Sequence, residues 1–150
     1  CENKWRTAPR NIINGGTGCP HCNSCYNEKL VGMFLIENKI EFIKNFKVNS
    51  TIKCKKHFLI DFVIPNINLY IEYNGHQHYE PVNFQNNEKE SVKAFEKQQK
   101  RDEAVRQYCK LNNINLLEID GRVYKKEKLI EFLHQYFQEL KCLSSSIEGS

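Results

Sequence analysis

A chain of 150 residues, 40% hydrophobic and 27% charged, has the length and composition to bury one core. Its longest apolar runs fall well short of the roughly 20 residues that span a bilayer. The opening CENKWRTAPR is polar rather than a secretory leader, and a net charge of +4 is only a mild lean toward anionic partners.

The seven cysteines are crowded at Cys19, Cys22 and Cys25 and scattered singly at Cys54, Cys109 and Cys142, with Cys1 at the start. That pattern suits a reducing, intracellular compartment (cytoplasm or nucleus) with one metal site rather than a disulfide framework. A chain that opens on Cys1 instead of Met reads as a piece of something longer.

In chain order, residues 1–24 are rich in Gly, Asn and Cys with little apolar periodicity, so their order must come from something other than a core. YNEKLVGMFLIENK, residues 26–39, places Val31, Phe34, Leu35 and Asn38 at helical spacing. EFIKNFKV alternates as a strand, and LIDFVIPNINLYIEYN supplies two more around the turn dipeptide Pro65-Asn66. Residues 80–90 form a polar loop, with Gly75 permitting the turn that leads out of the third strand. A long helix follows, ended by Asn112-Asn113. INLLEI is a buried strand closed by Asp120-Gly121, and residues 122–141 make a terminal helix with Leu129, Ile130, Leu133 and Phe137 on one stripe. The tail, 142–150, reads as flexible linker.

Two strands each carry an acid in an apolar setting, Asp61 and Glu72. With the turn centred on Asn66-Ile67, an antiparallel hairpin opposes Ile64 to Leu69, Phe62 to Ile71 and Ile60 to Tyr73 on one face. On the other face it opposes Val63 to Tyr70 and Asp61 to Glu72. Two like charges about 5 Å apart repel by roughly 3 kcal/mol at an effective dielectric near 20. A favourable cross-strand pair contributes at most about 1 kcal/mol, so repulsion wins unless a cation or a shared proton intervenes. Two further acids lie on core-facing helical stripes: Glu28, three before Val31, and Asp102, three before Val105. Oxygen-rich clusters of this kind suit Mg²⁺ or Mn²⁺, which take one or two carboxylates, waters and a substrate phosphate. His76, Gln77 and His78 follow at the mouth of the carboxylate face. His78 is the preferred general base and Gln77 a polar orienter.

Taken in order, Glu28, Asp61 and Glu72-Tyr73-Asn74 resemble the helix Glu, strand Asp and strand Glu of the PD-(D/E)XK nuclease superfamily. IEYNGHQHY followed by QQKRDEAVRQYCKLNNINLLEI resembles its branch of very-short-patch-repair and homing endonucleases, over about residues 25–120. The resemblance implies a restriction-endonuclease-like αβββαβ core with a mixed α/β sheet over residues 25–141, and metal-dependent hydrolysis of double-stranded DNA. Asp61 and Glu72 would hold Mg²⁺ with help from Glu28, His78 would take the proton or stabilise the leaving oxygen, and Asp102 would orient it. The chain departs from the pattern at Asn74, where the superfamily has Lys, and at Val105, where the helix motif often has Lys. Lys100 and Arg106 are the nearby substitutes. Because Asn74 is neither base nor cation, a non-catalytic nucleic-acid-binding module derived from a nuclease stands as the alternative, with action on RNA a further one.

Cys19-Pro20-His21-Cys22 has the spacing of a zinc knuckle. With CENKW it resembles the second half of a zinc ribbon, in which Cys1, Cys19 and Cys22 are Zn²⁺ ligands. The missing partner would precede Cys1, and Cys25 or His21 would fill the fourth place in this segment. A structural zinc would order residues 1–24, and Lys4, Trp5, Arg6 and Arg10 would then face DNA phosphates.

Overall fold

The computed structural model describes residues 20–49, 57–81 and 88–148, with the side chains of 20–25, 88 and 144–148 outside that description. Its order is α1 (Pro20–Glu37), β1 (Ile43–Asn49), β2 (His57–Ile64), β3 (Leu69–Asn74), α2 (Glu88–Leu111), β4 (Asn115–Asp120) and α3 (Glu127–Glu148). The four strands form one mixed sheet in the order β1-β2-β3-β4: β1–β2 and β2–β3 are antiparallel, and β3–β4 is parallel. Helix α2 is the crossover that a parallel β3–β4 pair requires. The chain divides into two compact units, one of residues 35–123 and one of residues 1–34 with 124–150.

In the sheet unit, the β2–β3 connection is a single 3₁₀ turn over Pro65–Ile67 that ends at Asn68 in the left-handed region, φ 49°. Pro65 suits the first position of such a turn because its missing N–H is not needed there, and Asn tolerates positive φ better than most residues. The register is the one expected from a turn centred on Asn66-Ile67, with Ile64 opposite Leu69, Val63 opposite Tyr70 and Phe62 opposite Ile71. Helix α2 ends as its Asn pair predicts: Asn113 takes φ 52°, and the Ile114 N–H reaches back to the Cys109 carbonyl at 2.8 Å. The two left-handed asparagines are joined. Asn68 Nδ2 donates to the Asn113 carbonyl at 2.8 Å, and the Asn115 N–H donates to the Asn68 carbonyl at 3.0 Å.

On the side of α2, Val48, Phe58, Ile60, Val63 and Tyr70 pack with Val105 and Cys109 into one cluster. Strict alternation along β2 would not put both Ile60 and Val63 on one face. The change of parity falls at Asp61, where the β1–β2 pairing skips from Phe46↔Ile60 to Lys44↔Phe62 and the residue between, Asn45, takes φ 53°. The expected pairing of Ile60 with Tyr73 and of Asp61 with Glu72 is therefore corrected: the β2–β3 ladder runs only to Phe62↔Ile71. Within the parallel pair, Glu72 lies at the level of Glu118 and Asn74 at that of Asp120.

In the other unit, Leu129, Leu133 and Phe137 are buried on one stripe of α3, as the 3.6-residue spacing predicts. Phe34 of α1 packs edge-on to His134 at 4.8 Å and against Phe137 at 5.7 Å. Tyr124 stacks on Phe132 at 4.2 Å, and Asn27 Oδ1 accepts from the Lys126 N–H at 3.3 Å.

Both ends of α1 and of α3 differ from expectation, α3 starting at Glu127 rather than at residue 122. Helix α1 begins at Pro20, inside the segment assigned to the zinc ribbon, and ends at Glu37, so Asn38 is an exposed turn residue rather than part of the apolar stripe. Helix α3 continues to Glu148, through most of the expected tail, because no Gly or Pro interrupts it before Gly149. Gly75 has φ −70° and ψ 178°, extended backbone open to any residue, so the turn after β3 does not depend on it. Among the described residues no helix is long and apolar enough to cross a membrane.

Candidate active site

Glu72 sits in the fourth position of β3, every residue of which is buried. The residue is 5% exposed, and Oε1 is buried with no hydrogen-bond partner among the described residues. Burial first, then the charge of Asp61, pushes its pKa up to about 8, against the lowering effect of the Arg101 guanidinium. Asp61 belongs to the same charge cluster without facing Glu72 across the ladder. Its Oδ2 accepts the Tyr73 backbone N–H at 2.9 Å, so a side chain of β2 occupies the place where a β2 carbonyl would continue the pairing. The break at Asp61 thus frees the carboxylate from strand alternation and aims it at the backbone beside Glu72.

The second half of the site lies on the 3₁₀ turn His76–His78 and on α2. His78 is 8% exposed, and its Nδ1 lies 2.9 Å from Asp102 Oδ2. A carboxylate only accepts, so Nδ1 carries the hydrogen and Nε2 is left as the basic nitrogen. Asp102 occupies the inward stripe of α2 expected of it and is buried. Gln98, one turn earlier, donates to Asp102 Oδ1 at 2.8 Å, and Gln99 donates to the His78 carbonyl at 2.6 Å. Thus the helix fixes both the ring and the backbone of His78.

Gln77, expected to orient the histidine, is exposed; the amide that reaches the His78–Asp102 pair is that of Gln98, whose Nε2 also lies 3.1 Å from His78 Nδ1. The spacing of four residues between Gln98 and Asp102 was the available sequence signal. His76 is exposed and lies 3.6 Å from Glu80.

The residue between these halves is Arg101, which sequence reasoning passed over in favour of Lys100 and Arg106. Its Nη2 donates to the Leu59 carbonyl at 2.7 Å and lies 3.6 Å from Glu72 Oε2, while Nη1 lies 3.9 Å from Asp102 Oδ1. Arg106 is engaged elsewhere. Its Nε and Nη2 grip both oxygens of Glu118 at 2.8 and 2.9 Å, a bidentate pair. Asn74, where the resemblance led one to expect Lys, is 3% exposed and donates through Nδ2 to Glu118 Oε1 at 3.2 Å. Lys100 is exposed.

Asp61, Glu72, His78, Arg101 and Asp102 all belong to the sheet unit, whereas the half-buried Glu28 belongs to the other unit. Among the described residues no three His, Cys, Asp or Glu side chains converge as a metal cage. The residues do fit a cation that takes few protein ligands: a buried, unpartnered oxygen of Glu72 beside a second acid is an uncompensated acceptor. The expected zinc ligands Cys1 and Cys19 lie outside the described residues, as do the side chains of Cys22 and Cys25.

Over 105 residues the chain is 34% identical to uncharacterized protein 307L of Invertebrate iridescent virus 6; the match covers 70% of this chain and 50% of that protein. The chain thus spans about half the length of the curated relative it matches. No protein-family model and no solved structure matches it.

Proposed function

We propose that the protein is a Mg²⁺-dependent DNA endonuclease of the PD-(D/E)XK type, with its αβββαβ core running from α1 to β4 and the βββαβ part of it, β1 to β4 with α2, in the sheet unit. The observation that carries this reading is the buried Glu72 oxygen without a partner, set in one charge cluster with Asp61 and beside the His78–Asp102 pair. Asp61 and Glu72 would hold the cation, a small number of protein ligands that suits Mg²⁺. When bound, the cation supplies charge to polarise a phosphodiester and acidify water.

The chain's own residues do the rest. Asp102 fixes the tautomer of His78, so that Nε2 is the proton acceptor for an attacking water. Gln98 holds Asp102, and the Tyr73 N–H holds Asp61, so both acids are oriented before substrate arrives. The proposal includes a structural Zn²⁺ on Cys1, Cys19, Cys22 and Cys25, and double-stranded DNA as partner.

A second reading, a nucleic-acid-binding module without catalysis, is favoured by Asn74, which is spent on Glu118 where the superfamily has a catalytic Lys. Incubating supercoiled plasmid with the protein and Mg²⁺ beside Asp61→Ala and His78→Ala separates the two. Nicking or linearisation by the wild type alone, abolished by EDTA, is the expected result. Binding with equal, negligible cutting by all three proteins overturns the nuclease reading.

A further inference from the structure

Arg101 is an odd residue to find between two buried acids. A guanidinium has five N–H donors in a rigid fork. Among the described residues only one hydrogen bond from it is made, the 2.7 Å bond from Nη2 to the Leu59 carbonyl. Its approaches to Glu72 and Asp102, at 3.6 and 3.9 Å, are ionic proximity, too long for the 2.7–2.9 Å of a charge-assisted hydrogen bond. Its side chain is 21% exposed, so the unspent donors are neither sealed in the core nor loose on the surface. The Leu59 carbonyl anchors one corner of the fork and fixes where the others lie.

The neighbouring cations are excluded from this place. Arg106 is spent on Glu118, Lys100 is exposed, and Asn74 carries no charge.

We propose that Arg101 is the anion-binding residue of the site, its unspent guanidinium donors gripping a phosphate oxygen of the polynucleotide between the acids that hold the cation and the histidine that takes the proton. This rests on the nuclease reading and deepens it: the positive charge that β3 lacks at Asn74 is delivered from α2 instead. A guanidinium in this place binds the ground-state phosphodiester and the more charged transition state through the same fork. It also repels a divalent cation at Glu72, so removing it should not weaken cation binding.

The test uses wild type, Arg101→Met and Arg101→Lys, with three readouts at pH 8.5. These are Mn²⁺ affinity by calorimetry, affinity for a duplex in Ca²⁺, and cleavage in Mg²⁺. Arg101→Met is expected to bind Mn²⁺ at least as tightly as wild type, bind duplex at least threefold more weakly, and cleave at least a hundredfold more slowly. Arg101→Lys, which keeps the charge and can still reach a carbonyl, is expected to fold as wild type, recover duplex binding and cleave at an intermediate rate. It serves as the deciding variant if Arg101→Met does not fold. A merely structural arginine would give loss of Mn²⁺ binding and of thermal stability in step with activity, and that result overturns the proposal. Cleavage by either variant within threefold of an active wild type also overturns it, leaving the nuclease reading intact. If wild type itself does not cut, that reading falls, and duplex affinity decides alone: a threefold loss supports an anion-binding Arg101, and unchanged affinity overturns it.

Discussion

The Asp61 carboxylate accepts the backbone N–H of Tyr73, 2.9 Å away, and so takes a place in the sheet that belongs to main chain. One oxygen of the acid is structural, and the charge is what the proposed chemistry needs. Asp61→Asn keeps an acceptor and removes the charge. It should unfold within about 1 kcal/mol of wild type yet lose cleavage, whereas Asp61→Ala strands the Tyr73 donor and should cost about 1–3 kcal/mol. Urea denaturation of the two variants, beside plasmid cleavage, checks both halves.

Glu72 makes stability depend on pH in the opposite sense to an ordinary salt-bridged acid. Its pKa in the fold is about 8, above the 4.5 of an ordinary glutamate. Between those values the folded state keeps a proton that the unfolded state has lost. Stability therefore falls as pH rises through that window, by about 1.4 kcal/mol per pH unit from this group, and levels off above pH 8. Glu72→Gln should flatten the slope, which melting temperatures taken from pH 5 to 9 would show.

Asp102→Asn turns one of two accepting oxygens into an amide donor, so His78 Nδ1–H and the Gln98 amide compete for the one left and the ring is freer to adopt the other tautomer. Cleavage should fall by about 10²- to 10⁴-fold, the range of a general base, with duplex affinity in Ca²⁺ unchanged. Gln98→Ala, which loosens Asp102 without removing it, should give a smaller loss in the same direction. Single-turnover rates for the two variants test the order.

The two glycines flanking the site should respond unequally. A Cβ on Gly121 would lie 2.6 Å from the Tyr73 hydroxyl oxygen and 2.7 Å from its ring, on a side chain held in the core. Gly121→Ala should cost about 1–3 kcal/mol by overpacking. Gly75→Ala meets only the end of Gln77 at 3.5 Å, on extended backbone, and should change stability by less than about 0.5 kcal/mol. Thermal melts of the pair decide it.

Burial raises the pKa of the Cys109 thiol to about 11, with the Glu72 charge adding to it, and the residue is 2% exposed. At pH 8 in the native state it should resist iodoacetamide while the exposed Cys142 reacts. In denaturant both should be modified, and peptide mass spectrometry of the labelled protein gives the comparison.

The element order was legible because its signals are local. A turn centred on Asn66-Ile67 gave the hairpin register, the Asn112-Asn113 pair gave the end of α2, and the stripe of Leu129, Leu133 and Phe137 gave the face of α3. Asp102 was legible for the same reason, as an acid in phase with Val105 and Cys109. What period-two reasoning could not give was the switch of parity at Asp61. It lies opposite a left-handed Asn45 on the neighbouring strand, and an isolated Asn in EFIKNFKV carries no such mark. Gln98 and Arg101 were missed because each acts across elements, on His78 and on the Leu59 carbonyl, and spacing within one helix does not show which partner lies opposite. The start of α1 and the end of α3 were misplaced because composition was taken as a boundary where the backbone simply continues as helix.

The asparagine clasp between the β2–β3 turn and the end of α2 has a bearing on all this that its distance hides. It joins Asn68 to Asn113 and Asn115 at the starts of β3 and β4, away from the acids. Parallel neighbours have no hairpin to align them, and sliding one strand by a single residue would turn Glu72 to the opposite surface of the sheet. One side-chain amide and one main-chain bond at the remote margin of the sheet therefore help to hold the register on which the constellation depends. Asn68→Ala would loosen that register from a distance while every acid remained in the chain.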